Sequence, residues 1–410
     1  MKVLQINTIV GAGSTGRIVE DILEMVIKHG DDGRIACAID NSSEKLSGKI
    51  YKIGGRKNVR LSHAIASRIT DRSGFYSRQA TKKLIKYIEH EGFDLIHMHN
   101  LHGYYLDISL LFEKLAKMSV KVVWTFHDCW PMTGHCTYFD YIGCEKWKYQ
   151  CGKCPQRKKY PKSIIVDNSR KNYVDKKQLF HLLSYIIVTP SAWLEDICRE
   201  SFVSDRFVKK IPNGIDLRSF YPRDVSGLRH RYKIENKFVI LAVSAGWNMR
   251  ERNDRKGLAD ILELRKKLDN TYVIIMVGFK DEASMRGLPE GIIGVKKTRS
   301  LDELAEWYSV GDVFINPTKE EVLGMVNIEA LACGTPVITY NTGGSPETVD
   351  DSCGIVLEKG NIDALRQAII ACRKENFEKE DCINRAKLFD KEKCYEEYYE
   401  LYCQMLKTDI

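Results

Sequence analysis

The sequence predicts an α/β protein of two doubly wound, Rossmann-like domains facing a cleft, and three observations carry that prediction. Short apolar strands alternate with amphipathic helices from the first residues, which implies parallel sheets covered on both faces. The alternation restarts after Pro222. The chain, at 410 residues, exceeds what one hydrophobic core ordinarily supports. In such sheets ligands bind beyond the carboxyl ends of the strands, so two facing domains would share one cleft.

The elements follow in order. VLQINTIV reads as a strand, and TGRIVEDILEMVIKHG shows the three-to-four apolar spacing of a helix. RIACAI is a second strand; ATKKLIKYIEHEG, FDLIHMH, DISLLFEKLAKM and VKVVWTF continue as helix, strand, helix, strand. An irregular insert runs from Asp128 to Ser163, after which QLFHLLSYIIVTPSAWLEDICRE and FVKKIPNG supply a strand, a helix and a strand. In the second run KFVILAVSA, TYVIIMVG, DVFINP and TPVITY are strands, alternating with helices in GLADILELRKKL, SLDELAEWYSV, MVNIEALACG and NIDALRQAIIACRK. The expected domains are 1–205, with the insert 128–163, and 206–388. CYEEYYELYCQML, within 389–410, is expected to form a helix packing back on the first domain.

Hydrophobic content of 44% and charged content of 29% fit a folded soluble protein. No apolar run reaches the roughly 20 residues that span a bilayer, and MKVLQINTIVGAGS reads as a strand entering a glycine loop, so a cytoplasmic location is expected. The net charge of +8 is uneven: residues 1–205 carry 31 Lys and Arg against 22 Asp and Glu, and the remainder 32 against 33. A basic first half suits an anionic membrane surface or a nucleotide, with Lys158 and Lys159 among the membrane contacts; a merely solvated basic face is the plain alternative. No nucleic-acid-binding pattern is present, so none is expected as a partner.

Several residues stand where chemistry would occur. Gly11, Gly13 and Gly16 lie between the first strand and first helix, where backbone N–H groups are available to an anion. His127 and Asp128 end a central strand, where Asp128 would hold or polarise the imidazole. His97, His99 and His102 crowd the preceding strand end, as sugar or phosphate contacts, a hydrogen-bonded loop or a metal triad. Lys256 begins a helix, where a cation opposes the helix dipole unless it meets an anion. With a loop arginine it suits a pyrophosphate. Gly324 places Glu321 in a loop and Glu329 in the helix beginning there, so the two carboxylates would accept from different hydroxyls. Thirteen cysteines without a secretion signal argue against disulfides. Four, Cys136, Cys144, Cys151 and Cys154, fall within nineteen residues, and the closing C-x-x-C predicts a structural zinc ordering the insert. Cys129 and His135 are substitute ligands; a redox pair and buried thiols are the competing readings.

The stretch EVLGMVNIEALACGTPVITYNTGGSPE, residues 321–347, resembles the signature of the retaining, nucleotide-sugar-dependent glycosyltransferases of the GT-B fold, family four, and IPNGIDLRSFYP resembles their interdomain segment. The insert HDCWPMTGHCTYFDYIGCEKWKYQCGKCPQ is similar to a subgroup associated with colanic-acid-like and other surface polysaccharides. The resemblance implies that Glu321 touches the donor sugar and Glu329 the nucleotide ribose. It places Gly11 and Gly13 near the phosphates with the Gly343–Gly344 loop, His127 near the transferred sugar and acceptor, and Lys256 on phosphate. The usual Gly-Arg is replaced by Gly246-Trp247, so the arginine partner is Arg250 by spacing, with Arg252 and Arg255 as competitors.

The expected activity is retaining transfer of a hexosyl group from a nucleoside diphosphate sugar to an acceptor hydroxyl, with a glycan or lipid-linked glycan as acceptor. Lys256, Arg250, Glu321 and His127 would carry it. Neither an organic cofactor nor a catalytic metal is expected, as no D-x-D motif marks a metal site. An epimerase, a phosphorylase-like enzyme or a non-catalytic carbohydrate-binding protein would share the fold.

Overall fold

The apolar runs become two all-parallel sheets in the computed structural model, which describes residues 1–54, 57–250, 255–375 and 377–407. The chain divides into two units: residues 1–212 together with the chain from Glu392 onward, and residues 213–391.

The first unit contains β1 (Lys2–Val10), β2 (Asp32–Asp40), β3 (Ile50–Lys52), β4 (Leu95–Met98), β5 (Lys121–Thr125), β6 (Ile186–Thr189) and β7 (Val208–Lys210), in the spatial order β3-β2-β1-β4-β5-β6-β7. Every pairing is parallel. All four residues of β4 are buried, as a strand covered on both faces requires. The order reverses between β1 and β4, which opens a crevice at their carboxyl ends. Gly11–Gly13 leave β1 there, and His99 follows β4.

The terminal helix Lys391–Lys407 belongs to this sheet. Tyr395, Tyr398 and Tyr402, spaced three and four apart, and Leu401 pack on Val3, Ile18, Ile22 and Leu95. Two of the phenol ends also have partners, Tyr402 Oη lying 2.6 Å from His97 Nδ1 and Tyr398 Oη 3.1 Å from Thr125 Oγ1.

The second unit contains β8 (Phe238–Trp247), β9 (Tyr272–Phe279), β10 (Ile292–Lys296), β11 (Val313–Asn316), β12 (Val337–Tyr340) and β13 (Gly354–Leu357), in the order β10-β9-β8-β11-β12-β13. Alternate residues of β8 feed two cores, Val239 and Leu241 on one face and Ile240 and Ala242 on the other. Here the order reverses between β8 and β11. The segment carrying Lys256 follows β8, and Glu321 follows β11.

Strands β3, β10 and β13 and the helix Lys57–Thr70 were not legible in the apolar pattern. These strands are short and stand at or next to sheet edges, where half-exposed residues leave no continuous apolar run. The helix buries a polar face, as shown below.

The insert after β5 holds only three short helical turns, Trp130–Met132, Asp140–Ile142 and Lys146–Tyr149. Its first part is pinned by Lys176, which is almost fully buried and donates to the carbonyls of Trp130 (2.7 Å) and Thr133 (3.0 Å). The Lys176 ammonium also lies 3.4 Å from the Trp130 ring centroid. Burial lowers its pKa to about 7.

Candidate active site

The first unit presents a chain of hydrogen bonds that ends at His127. Gln5 lies on β1 with its amide nitrogen donating to the Val19 carbonyl at 2.9 Å, so its Oε1 is left as an acceptor. His99 Nε2 lies 3.1 Å from that oxygen and must donate to it. His99 Nδ1 is then an acceptor, and it lies 2.9 Å from His127 Nε2. The proton of His127 therefore sits on Nε2, and Nδ1 carries a lone pair. Burial lowers the His127 pKa to about 4 and outweighs the opposing pull of Asp128, so the ring is neutral near pH 7.

Asp128 does not hold the His127 ring, contrary to the expectation. One carboxylate oxygen lies 2.7 Å from His102 Nε2, and the other accepts from the Trp130 N–H at 2.9 Å. His102 continues to Tyr160 Oη at 3.0 Å. His97 is tied to Thr125 and Tyr402, so the three histidines after and on β4 form hydrogen-bonded supports.

Beside this network Gly11 and Gly13 turn the chain from β1 into the helix Gly13–Lys28, whose first turn holds no acidic residue. A side chain at Gly13 would meet nothing within 4 Å, so the backbone there is open to an approaching group.

The second unit gathers two cations on one carboxylate. Lys256 Nζ pairs with Glu321 Oε2, and Arg255 Nη1 stands 3.6 Å from the same oxygen. Backbone bonds hold the two segments together, with the Lys319 N–H donating to the Arg255 carbonyl at 2.7 Å and Thr318 Oγ1 at 3.2 Å. Burial works to raise the Glu321 pKa, but Lys256 and Arg255 prevail and hold it at about 2. Glu321 is thus an ionised, acceptor-only group.

Gly343 and Gly344 support Glu321 from behind. The Gly344 N–H donates to the Glu321 carbonyl at 2.9 Å. A Cβ at Gly343 would lie 1.8 Å from that carbonyl oxygen, and its φ of +55° is one that other residues rarely adopt. Glu329 lies inside the helix Met325–Ala332, buried, and accepts from Tyr308 Oη at 2.7 Å. Arg250 lines a different place, a cavity of about 670 Å³ beyond β8 and β9 shared with Trp247, Lys280, Asp281 and Lys297.

Family models match both units. Residues 17–219 match the Glycosyltransferase Family 4 model and residues 235–389 the Glycosyl transferases group 1 model. The chain belongs to these glycosyltransferases. It is 24% identical over 282 residues to WcaC of Escherichia coli K12, described as a colanic acid biosynthesis glycosyl transferase, a match covering 67% of this chain and 66% of that protein. Seven further relatives are spanned over less than half of their length. The fold is GT-B. It resembles sucrose-phosphate synthase from Thermosynechococcus elongatus, with a TM-score of 0.72 at 17% identity over 99% of both chains. It also resembles Anabaena Alr3699/HepE in complex with UDP, with a TM-score of 0.68 at 15% identity over 98% of this chain and 100% of that one.

In this glycosyltransferase the arginine beside Lys256 and Glu321, among the described residues, is Arg255, whereas Arg250 faces the larger cavity. Arg252 lies outside the described residues.

The zinc read from the cysteine spacing is not supported. Cys136, Cys144, Cys151 and Cys154 do line one cavity, of about 20 Å³. Yet among the described residues no three His, Cys, Asp or Glu side chains are arranged to hold a metal ion. Three of the thiols have other partners: the Gly134 N–H donates to Cys151 Sγ at 3.2 Å, and the Cys136 thiol donates to Cys154. The substitute ligand His135 is paired with Asp71. All thirteen cysteines are free thiols.

Gln5 and Tyr308 were missed in the sequence. Gln5 had a visible signal, a polar residue between the apolar Leu4 and Ile6 of a strand. Tyr308 had none, since an aromatic residue in an amphipathic helix ordinarily reads as core.

Proposed function

We propose that this glycosyltransferase moves a hexosyl group from a nucleoside diphosphate sugar to an acceptor hydroxyl with retention of anomeric configuration. A lipid-linked glycan of cytoplasmic surface-polysaccharide synthesis is the proposed acceptor. The observation that carries this reading is the cluster of Lys256, Arg255 and Glu321 at the β8/β11 switch point. Departure of the diphosphate develops negative charge on its β-phosphate, which fixed cations stabilise. Lys256 and an arginine of the same loop do this, while the ionised Glu321 accepts hydrogen bonds from donor-sugar hydroxyls and Glu329 from the ribose. Backbone at Gly11–Gly13 and Gly343–Gly344 borders the donor, and Nδ1 of His127 accepts from a hydroxyl of the transferred sugar or of the acceptor. The acceptor oxygen attacks the anomeric carbon from the face the diphosphate leaves. The carbon–phosphate-oxygen bond breaks as the new glycosidic bond forms, and the hydroxyl proton leaves with the nucleoside diphosphate.

The match to WcaC supports the polysaccharide setting, and the UDP bound in the Anabaena structure supports a nucleotide donor. A panel of uridine and guanosine diphosphate sugars, offered with lipid-linked and free glycans, tests the proposal. Nucleoside diphosphate release with a glycosylated product of unchanged anomeric configuration is expected. An epimerised donor, or release of sugar phosphate that requires inorganic phosphate, overturns it.

A further inference from the structure

The helix Lys57–Thr70 is inverted relative to a helix on a water-facing surface. Leu61, Ile65 and Ile69, four residues apart on one face, are 58%, 48% and 45% exposed, while His63 and Ser67 on the opposite face are buried. A second apolar run lies against this helix. The Ile164 N–H donates to the Arg68 carbonyl at 2.7 Å and the Val166 N–H to the Ile69 carbonyl at 3.3 Å. Ile164, Ile165 and Val166 are 58%, 64% and 38% exposed. Six large aliphatic side chains are therefore exposed on two adjoining segments of the first unit, more than scattered apolar exposure explains.

The two segments themselves carry charges of one sign. Residues 60–70 and 157–166 contribute Arg60, Arg68, Arg157, Lys158, Lys159 and Lys162 and no carboxylate. The acids that follow each stretch are engaged with the protein. Asp71 is buried and paired with His135; Asp167 accepts from the Cys154 N–H at 2.6 Å and from Ser169 Oγ at 2.5 Å.

We propose that this patch docks the first unit on an anionic phospholipid surface, the aliphatic side chains entering the headgroup–acyl boundary and the cations meeting lipid phosphates. An apolar face rimmed by Lys and Arg is what such a boundary takes up, each part weak alone and effective together. No described helix is long and apolar enough to cross a membrane. The patch reaches the candidate active site through Tyr160, whose hydroxyl bonds His102, which in turn bonds Asp128 beside His127. Docking there presents the loop after β5 to an acceptor anchored in the bilayer; this last step rests on the proposed activity, whereas docking itself does not.

Flotation with vesicles of phosphatidylglycerol and phosphatidylcholine, against phosphatidylcholine alone, tests the proposal on the full chain. The protein should float with the anionic vesicles and be released by salt. The neutral pair Ile65→Gln/Ile165→Gln and the charge set Lys158→Gln/Lys159→Gln/Lys162→Gln should each lower partition about tenfold or more. Lys82→Gln/Lys83→Gln, on the exposed side of the helix Arg78–Glu91, should leave it unchanged. Equal behaviour of the patch variants and the parent, or no flotation of the parent at low salt, overturns the proposal. So does a dimer in solution that Ile65→Gln/Ile165→Gln dissociates, because a second copy would then be the occupant. Nucleoside diphosphate binding, followed by calorimetry in the same samples, reports separately on the donor site: its absence would defeat the donor reading and leave docking standing.

Discussion

His127 Nε2 lies 2.9 Å from His99 Nδ1, at the end of a hydrogen-bond chain that begins at the Val19 carbonyl. The chain fixes the imidazole tautomer through groups that are buried behind the ring. The consequence is a neutral ring offering an acceptor nitrogen, which differs from the aspartate-polarised histidine that the His-Asp pair suggests.

His127→Ala should lower turnover by about tenfold or more, because Nδ1 no longer accepts from the sugar or acceptor hydroxyl, with nucleoside diphosphate affinity within a few-fold. Gln5→Leu should produce a smaller loss in kcat, because it frees the tautomer and keeps the ring. Steady-state kinetics beside calorimetric titration checks both. Unimpaired turnover of a folded His127→Ala protein would refute the assignment.

Glu321 and Glu329 should separate on mutation. Glu321→Gln keeps the shape and removes the charge that holds Lys256 and Arg255, so transfer should fall by about 10²–10³ while nucleoside diphosphate binds as well or better. Glu329→Ala should weaken nucleotide binding, and it leaves the Tyr308 hydroxyl without this acceptor at a cost of about 1–3 kcal/mol. Tyr308→Phe is the control, since it removes the same bond and keeps the carboxylate. Equal effects of the two glutamate changes on affinity and on turnover would count against their separate roles.

Gly343→Ala should damage transfer through Glu321 rather than through lost ligand contact. The added methyl meets the Glu321 carbonyl and the φ is unfavourable, so a lower Tm and a weaker kcat should appear together. An unchanged melting curve with full activity would contradict the packing argument.

Stability should decline in acid across a defined window. His127, with its pKa lowered from 6.5 to about 4, and His63, lowered to about 3 by burial, are neutral in the folded state. The unfolded chain takes up these protons as pH falls below about 6.5, so it binds more protons and the folded state loses ground down to about pH 3–4. Urea unfolding at pH 7 and at pH 4.5 should show the loss, and His63→Asn should reduce the pH dependence.

Cys154 should be the first cysteine alkylated at neutral pH. The Cys136 hydrogen bond, working against burial, brings its pKa down to about 7, and its side chain is partly exposed. Timed iodoacetamide labelling read by mass spectrometry checks this, and Cys136→Ala should slow the reaction by removing the donor. Labelling spread evenly over the thirteen cysteines would contradict it.

The alternation of apolar runs determined the two parallel sheets by itself, because strands buried on both faces leave continuous Val, Ile and Leu segments that few other structures need. The spacing around Gly324 likewise determined that Glu321 sits in a loop and Glu329 in a helix. What it left open depended on contacts between residues far apart in the chain. Asp128 follows His127 directly, yet its carboxylate turns to His102, because the loop after β4 brings that ring within 2.7 Å. The four cysteines share a cavity, as their crowding suggests, but Cys136 bonds Cys154 and Cys151 accepts from a backbone N–H, which no spacing rule predicts. The exposed face of Lys57–Thr70 was equally hidden. Periodicity shows that Leu61, Ile65 and Ile69 share a face, and only tertiary packing, which buries His63 and Ser67 instead, decides that this face meets the surroundings.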